Sequence, residues 1–572
     1  MPRRLTINYY RGFMRRWVSI LLTGVMVVGM ISHNTVDVVA SKAKNPIIEE
    51  MTVEQKLAQM IMPSLRSWNG TDITALNPEL VKVFGKYDFG GVILFGQNTK
   101  DATQTTELIN SIQVAHESGG FKYDMFIAVD QEGGRVTRLQ TGTNMPGNMA
   151  VAATGDASNA YKTASVIGEE LAVQGFNLDF APVVDVNSNP ANPVIGVRSF
   201  SEDPNVVTKF GKSYMMGLHY QNVMSCLKHF PGHGDTDVDS HTGLPVVNKS
   251  YEEMKKTELV PYAALAKSAD FIMTAHIQYP QIEKETCISK SSGQNIYLPA
   301  TLSKKFLTDI LRGDLGYKGL IITDSMEMDA ITVNFDKLDA SARAINAGAD
   351  MLLMPVRLTS EADINNLDAY IKGLAAKVES GEISESRLNE SVNRIMKIKD
   401  KYGLYNGKVR ASGEKAASVV GSKEHKAVEW DIALVAVKGM KNEDVYPISK
   451  DKKVVIFYHD EAQLSSIKAG AEKAGANEIK YVSYEKGVGA NADTAIRDAD
   501  VVVCISTCST GKEIKENTKV KTLLQKAKTC RKMTLVLSTN LPYDLEGLND
   551  ADALVACYGP GINVTAAIYK LF

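Results

Sequence analysis

Residues 223–241 read VMSCLKHFPGHGDTDVDSH. The opening run, Val223 to Leu227, is short and apolar, as a strand buried on both faces would be. At Lys228 the chain turns abruptly polar. Pro231, Gly232 and Gly234 forbid a helix, so the rest is a long loop leaving the C-terminal end of that strand. Three of the nine histidines, His229, His233 and His241, fall within it.

Outward from this stretch the same unit recurs: a short apolar run, a polar end, then a longer segment of helical periodicity. The runs are Leu57 to Met62, Gly91 to Phe95, Met125 to Val129, Leu178 to Val184, Val223 to Leu227, Phe271 to Ala275, Leu320 to Thr323 and Met351 to Met354. Eight such units close a (β/α)8 barrel of the TIM type, whose active sites lie at the C-terminal ends of the strands. Asn98, Asp130, Asp185, Lys228 with His229, His276 and Asp324 all stand at or just past those ends. Helical spacing at Ile371, Leu374 and Val378, then at Ile395 and Ile398, predicts the helices that complete the outer ring.

A second alternation follows, with runs at Ile432 to Val437, Lys453 to Phe457, Ile479 to Val482, Val501 to Ile505, Thr534 to Leu537 and Ala553 to Val555. It predicts an α/β/α sandwich. No run opens into a GxGxxG or a phosphate-binding GxxxxGK, and Gly487-Val488-Gly489 reads as a turn, so nucleotide binding has no support. The α/β fold class is therefore a barrel over residues 45–407 and a sandwich over 427–572. A Ser-, Gly- and Lys-rich linker is expected at 408–426.

A chain of 572 residues accommodates two such domains, and 44% hydrophobic with 23% charged residues is the composition of a folded globular protein. The formal net charge of -2 gives no general pull toward nucleic acid. Six cysteines are too few for a disulfide scaffold; a bridge or two stays open but unassigned.

The first forty residues differ from all the rest. Arg3, Arg4, Arg11, Arg15 and Arg16 precede an apolar run from Trp17 to Ile31, and Val38-Val39-Ala40 offers a small-residue cleavage site. Residues 1–40 are expected to be a secretion signal or an N-terminal membrane anchor. The run is short of the roughly 20 residues a span requires, which favours the signal.

Three chemistries compete for the 228–241 loop. A calcium loop starting at Asp235 would need glycine sixth and glutamate twelfth, where Ser240 and Val246 stand, so it fails. A zinc or iron site could use His229, His233 and His241, although their spacing matches no helical HExxH pattern. An acid/base dyad could use Asp239 and His241, two residues apart: the carboxylate fixes one imidazole nitrogen and leaves the other to move a proton.

Four motifs together resemble the glycoside hydrolase family 3 β-N-acetylglucosaminidases, the bacterial two-domain type with a His-Asp dyad. They are residues 128–138 (AVDQEGGRVTR), 197–204 (VRSFSEDP), 228–245 and 322–328 (ITDSMEM). The resemblance spans the whole barrel and extends less distinctively over the sandwich. It implies Asp324 as nucleophile of a retaining mechanism, His241 as acid/base and Asp239 as its dyad partner, with no cofactor and no metal. It also implies substrate contacts from Asp130, Arg138, Arg198, Lys228 and His229. For each of these the plainer alternative is a structural ion pair across the mouth. Glu132, His276 and Glu327 are further rim candidates.

The expected activity is release of non-reducing terminal GlcNAc from cell-wall muropeptides or chitin-like fragments by an exported enzyme. The partners are GlcNAc-containing glycans, not nucleic acid, with membrane contact only through the N-terminal segment. Two alternatives remain: a β-N-acetylglucosaminide phosphorylase, since a neutral imidazole does not repel phosphate as a glutamate would, and a non-catalytic sugar-binding barrel. Because the dyad sits on the barrel's own loop, the sandwich is expected to be a structural or positioning module.

Overall fold

Proline and short apolar runs set the limits of the barrel strands. In a computed structural model, which describes residues 46–508 and 517–572, the first strand is broken by Pro63 into Ile61–Met62 and Ser64–Leu65. The first piece pairs with Leu352–Leu353 and the second with Gly91–Leu94. Pro63 has no N–H for a ladder, but its carbonyl accepts from Ile93 N at 3.0 Å. From there parallel pairing runs through Phe126–Val129, Leu178–Asp179, Met224–Phe230, Phe271–Thr274 and Leu320–Ile322. A parallel bridge from Ile322 to Met351 closes the ring. The eight-stranded α/β barrel expected from the sequence is present, and its strands are buried along their lengths, as helices outside and side chains inside require.

Two runs differ from their expected extent. Leu57 to Gln59 belongs to the helix Val53–Gln59, started by a capping box between Thr52 and Gln55, so the strand begins only at Ile61. A short apolar run does not distinguish buried helix from buried strand, whereas the capping box does. The fourth strand stops at Asp179 instead of Val184 because Pro182 breaks the ladder, which resumes only as a bridge from Val183 to Lys228. The helices Glu361–Glu379 and Glu385–Lys401 pack Leu367, Ile371, Leu374, Leu388 and Ile395 onto the ring.

The second sheet has the spatial order Lys438–Asn442, Ala553–Ala556, Met533–Ser538, Val501–Ser506, Val454–Tyr458, Ile479–Ser483, all parallel except the first. Alternate side chains leave it in opposite directions, as a pleated strand dictates. Val454, Ile456, Val501, Val503, Leu535 and Val555 enter one core. Val455, Phe457, Val502, Cys504, Val536 and Leu554 enter the other. Helices cover both faces, which makes the expected sandwich.

The run Ile432 to Val437 is not its first strand. Ile432, Ala433 and Ala436 are the buried face of the helix Lys423–Ala436, and the strand that follows is a largely polar edge, Lys438–Asn442, with no apolar run to announce it. Residues 408–426 are likewise not a loose linker. They hold the helix Gly413–Val419, with Ala416 buried against Ala102, and they are tied to the barrel through Arg410, which pairs with Asp124 at 2.8 Å and Glu117 at 2.9 Å, and through Glu170. Glu170 accepts from Gly421 N at 2.9 Å and meets His425 Nδ1 at 2.9 Å, while also taking Thr143 N at 2.8 Å.

The sandwich meets the barrel beside the mouth. Leu541 packs on Met149 and Val197, and Tyr543 Oη receives Asn187 Nδ2 at 3.3 Å and donates to Glu202 at 3.2 Å. No disulfide joins any of the six cysteines among the described residues. The N-terminal segment read as signal or anchor lies outside the described residues. Among the described residues no helix is long and apolar enough to cross a membrane.

Candidate active site

At the C-terminal ends of the barrel strands lies a cavity of about 460 Å³. Asp130, Glu132, Arg138, Arg198, Lys228, His229, His241 and Asp324 all line it. Every substrate contact expected from the sequence is thus brought to one wall or another of the same space, together with two of the three expected catalytic groups.

The loop after the third strand explains the position of the first three. Gly133 and Gly134 adopt φ of +85° and +59°, a backbone open to glycine at little cost. They fold the chain into a tight hairpin in which Glu132 N donates to Val136 O at 2.9 Å and Arg138 N to Gln131 Oε1 at 2.6 Å. Asp130 and Glu132 leave the strand, and Arg138 returns to the same rim.

Four charges interlock on that side. Lys228 Nζ lies 2.8 Å from Asp130 Oδ1 and 2.7 Å from Glu132 Oε1. Arg198 grips the same Glu132 with Nε to Oε2 at 2.9 Å and Nη2 to Oε1 at 2.7 Å. Burial alone would raise the Glu132 carboxyl, but the charges of Arg198 and Lys228 overcome it and hold it well below the usual carboxylate range. Two acids and two bases balance within this cluster. For Arg198 the ion pair across the mouth is therefore real. Arg138 differs: among the described residues it has no carboxylate partner, and its buried Nε has no hydrogen bond.

Asp185 organises a second layer. Its carboxylate accepts His229 Nδ1–H at 2.7 Å, His229 N at 3.2 Å and His233 N at 2.7 Å. Burial opposes its ionisation and the His229 charge favours it, leaving its pKa lowered. His229 is thereby oriented with Nδ1 committed to Asp185. Asn98 and His276, two of the polar strand ends, also prove to be supports. Asn98 Oδ1 accepts Phe95 N and its amide donates to Ile73 O at 2.8 Å. His276 sits between Thr301 Oγ1 at 2.8 Å and Ser325 O at 2.9 Å.

Asp324 follows the seventh strand. Its Oδ1 accepts Ser325 N at 2.7 Å. Its partial burial disfavours the charge, but the imidazoles of His229 and His276 and the Ser325 N–H outweigh that penalty and lower its pKa. An ionised carboxylate facing the cavity is what a nucleophile requires. His241, on the long loop, holds its Nδ1 2.7 Å from Asp239 Oδ1, which also accepts His241 N at 2.8 Å. Partial burial works against Asp239 ionisation, but these two bonds prevail and its pKa is lowered. Nδ1 is thus committed to the carboxylate and Nε2 is left for a proton.

Glu132 and Asp185 were not singled out as contacts by sequence reasoning. Their roles depend on Arg198 and His229, 66 and 44 residues away. The only local hint for Glu132 is its place two residues after Asp130, the strand period that returns a side chain to the same face.

Comparison with known proteins places this arrangement among sugar-cleaving enzymes. Residues 52–398 match the glycosyl hydrolase family 3 N terminal domain. The chain is 35% identical over 558 residues to a beta-hexosaminidase A of Pseudoalteromonas piscicida, covering 90% of this chain and 92% of that protein. Its fold is similar to that of a glycoside hydrolase family 3 beta-N-acetylglucosaminidase from Paenibacillus sp. str. FPU-7, with a TM-score of 0.76, 29% identity and coverage of 91% and 96% of the two chains. A beta-glucoside phosphorylase, BglX, gives a TM-score of 0.76 at 25% identity over 92% of this chain and 93% of its own.

Proposed function

The chain belongs to glycosyl hydrolase family 3, and from that membership we propose that Asp324 and His241 divide the work of a retaining exo-β-N-acetylglucosaminidase. The protein is a glycosidase that removes N-acetylglucosamine. The observation that carries the division of roles is a half-buried Asp324, its pKa lowered by the neighbouring imidazoles, lining one cavity with His241 of the Asp239–His241 dyad.

In the first step the Asp324 carboxylate attacks the anomeric carbon as protonated His241 gives its proton to the departing oxygen, so the glycosidic bond breaks and a glycosyl ester forms. In the second, neutral His241 takes a proton from water, whose oxygen attacks the same carbon and releases Asp324. The sugar leaves with its configuration retained and both residues are restored. Asp130, Lys228, His229, Arg138 and Arg198 bind the terminal sugar; buried polar groups that lose their partners penalise the wrong one.

A 4-nitrophenyl N-acetyl-β-glucosaminide assay tests the reading. The wild type is expected to release nitrophenol, and Asp324→Ala and His241→Ala to lose most of the rate. Full activity in Asp324→Ala would remove the nucleophile assignment, and a 5-fluoro glycoside should leave an adduct on Asp324 detectable by intact mass. Absence of activity in the wild type would favour the sugar-binding alternative.

The arginine-rich N-terminus supports export, with muropeptides or chitin-like fragments as the natural substrates; N-terminal sequencing of the secreted protein tests it. An imidazole acid/base, which repels phosphate less than a glutamate would, and an Arg138 without a carboxylate partner among the described residues also suit phosphorolysis. A manyfold rise in rate with inorganic phosphate, yielding sugar 1-phosphate, would establish that reading in place of hydrolysis.

A further inference from the structure

The dyad loop is built in two unequal halves. Its first half is locked. His233 N donates to Asp185 at 2.7 Å, and Asn192 Nδ2 donates to His233 O at 2.8 Å and to Thr236 O at 2.9 Å. Gly234 runs so close to the next loop that a methyl group on it would lie 1.7 Å from Val186 O. The second half, residues 237–244, carries Asp239 and His241 and is mostly exposed. Its one buried residue is Ser240, 2% exposed. The bonds of Asp239 with His241 and Thr242 stay inside the turn. Among the described residues, the one side-chain hydrogen bond leaving residues 237–244 is Ser240 Oγ to His233 Nε2, at 2.9 Å.

We infer that His233 is a positioning residue for the reaction, pinning the dyad through Ser240 so that the His241 imidazole stays over the cavity containing Asp324. This rests on the reading of His241 as acid/base. Proton placement supports it. The Thr236 hydroxyl lies 3.1 Å from His233 O and 2.8 Å from His233 Nδ1; when it donates to the carbonyl it accepts from Nδ1. The His233 Nε2 lone pair is then the acceptor for the Ser240 hydroxyl. Burial and the nearby His229 charge lower the His233 pKa to about 4, so the ring stays neutral and that lone pair stays available. Locked base, single pin and free dyad make the pin the determinant of how often the imidazole is in place.

A pin for a proton donor matters only when the leaving group requires a proton. The full chain with Ser240→Ala is compared with wild type on N,N′-diacetylchitobiose, whose departing hydroxyl must be protonated, and on a 2,4-dinitrophenyl N-acetyl-β-glucosaminide, whose phenolate leaves unaided. Expected is a fall of about tenfold or more in kcat/KM on the disaccharide, with less than about threefold on the dinitrophenyl substrate. Ser240→Thr, which keeps the hydroxyl, should recover most of the loss. Equal losses on both substrates, or none on either, would overturn the inference. His241→Ala is the control: if it spares the disaccharide, the acid/base assignment itself falls, whereas a selective loss in His241→Ala without one in Ser240→Ala removes only the pin.

Discussion

Glu132 and Arg198 meet through two hydrogen bonds, Nε to Oε2 at 2.9 Å and Nη2 to Oε1 at 2.7 Å, and the same carboxylate lies 2.7 Å from Lys228 Nζ. One acid thus holds two cations of the sugar-binding wall. Glu132→Gln leaves Lys228 paired with Asp130 and takes from Arg198 its one carboxylate in hydrogen-bond contact among the described residues. Breaking a buried pair from one side costs about 3–5 kcal/mol. A clear loss of stability in urea is expected, along with a KM raised by about tenfold as Arg198 loses its seat.

The same pair sets an acid limit. The Glu132 pKa is held below its ordinary 4.5 in the folded protein. Its contribution to stability is therefore complete above that value and is lost progressively as pH falls toward the folded pKa. The stability gap between wild type and Glu132→Gln, measured by urea unfolding, should be widest near pH 7 and narrow below pH 4.5. A gap unchanged down to pH 3 would contradict the ion-pair account.

The barrel was legible wherever a strand is an unbroken apolar run, as at Gly91–Leu94 or Phe271–Thr274. It was misread where a proline divides the ladder, because periodicity says nothing about which partner a fragment selects. Asp130, Lys228, His229, Asp239, His241 and Asp324 were legible because each stands at a strand end or inside the histidine loop. Asp185 was legible only as a polar strand end and Glu132 only as a rim candidate; their partners, and the structure of the 408–426 segment, were not. Each depends on carboxylates meeting partners far along the chain, as Glu170 meets His425 and Asp124 meets Arg410, and composition alone makes a Ser- and Lys-rich segment look like a tether.

At the opposite end of the barrel, Lys399 is fully buried with Gln59 Oε1 3.0 Å from its ammonium. Burial lowers its pKa from 10.5 to about 8 against the opposing charges of Asp88 and Asp124. The charged form thus destabilises the fold, by ~3 kcal/mol on that difference, fully below pH 8 and not at all above the unfolded value. Lys399→Met forfeits the Gln59 bond, worth about 1 kcal/mol, and should still melt higher than wild type at pH 7. The advantage is expected to shrink as pH rises from 8 to 10.5, as thermal melts across that range would record.

Leu541 gives the sandwich domain a hold on the site. It packs on Val197, within the short helical turn Gly196–Arg198, and a methyl group on Gly196 would lie 3.3 Å from it. Leu541→Ala opens a cavity behind that turn, at a cost of about 2–5 kcal/mol. If the sandwich positions Arg198, KM for the nitrophenyl substrate rises while kcat changes little. A lower melting temperature with both constants intact would make the contact purely structural.

Arg138 and Arg198 separate binding from stability. Arg198 is stitched to Glu132, and its pKa is raised by that acid against the penalty of partial burial, so Arg198→Leu should weaken both sugar binding and the fold. Arg138 carries the same charge to the same cavity with its Nε buried and unbonded and, among the described residues, without a carboxylate. A buried donor without a partner costs about 1–3 kcal/mol, which the folded protein bears whether or not sugar is present. Arg138→Leu is therefore expected to melt at or above the wild-type temperature while its kcat/KM falls by about tenfold or more, the trade of stability for function that a binding site imposes. Thermal melts and nitrophenyl kinetics on the two variants decide it: parallel losses of stability in both would show that Arg138, like Arg198, is held by the fold before it serves the substrate.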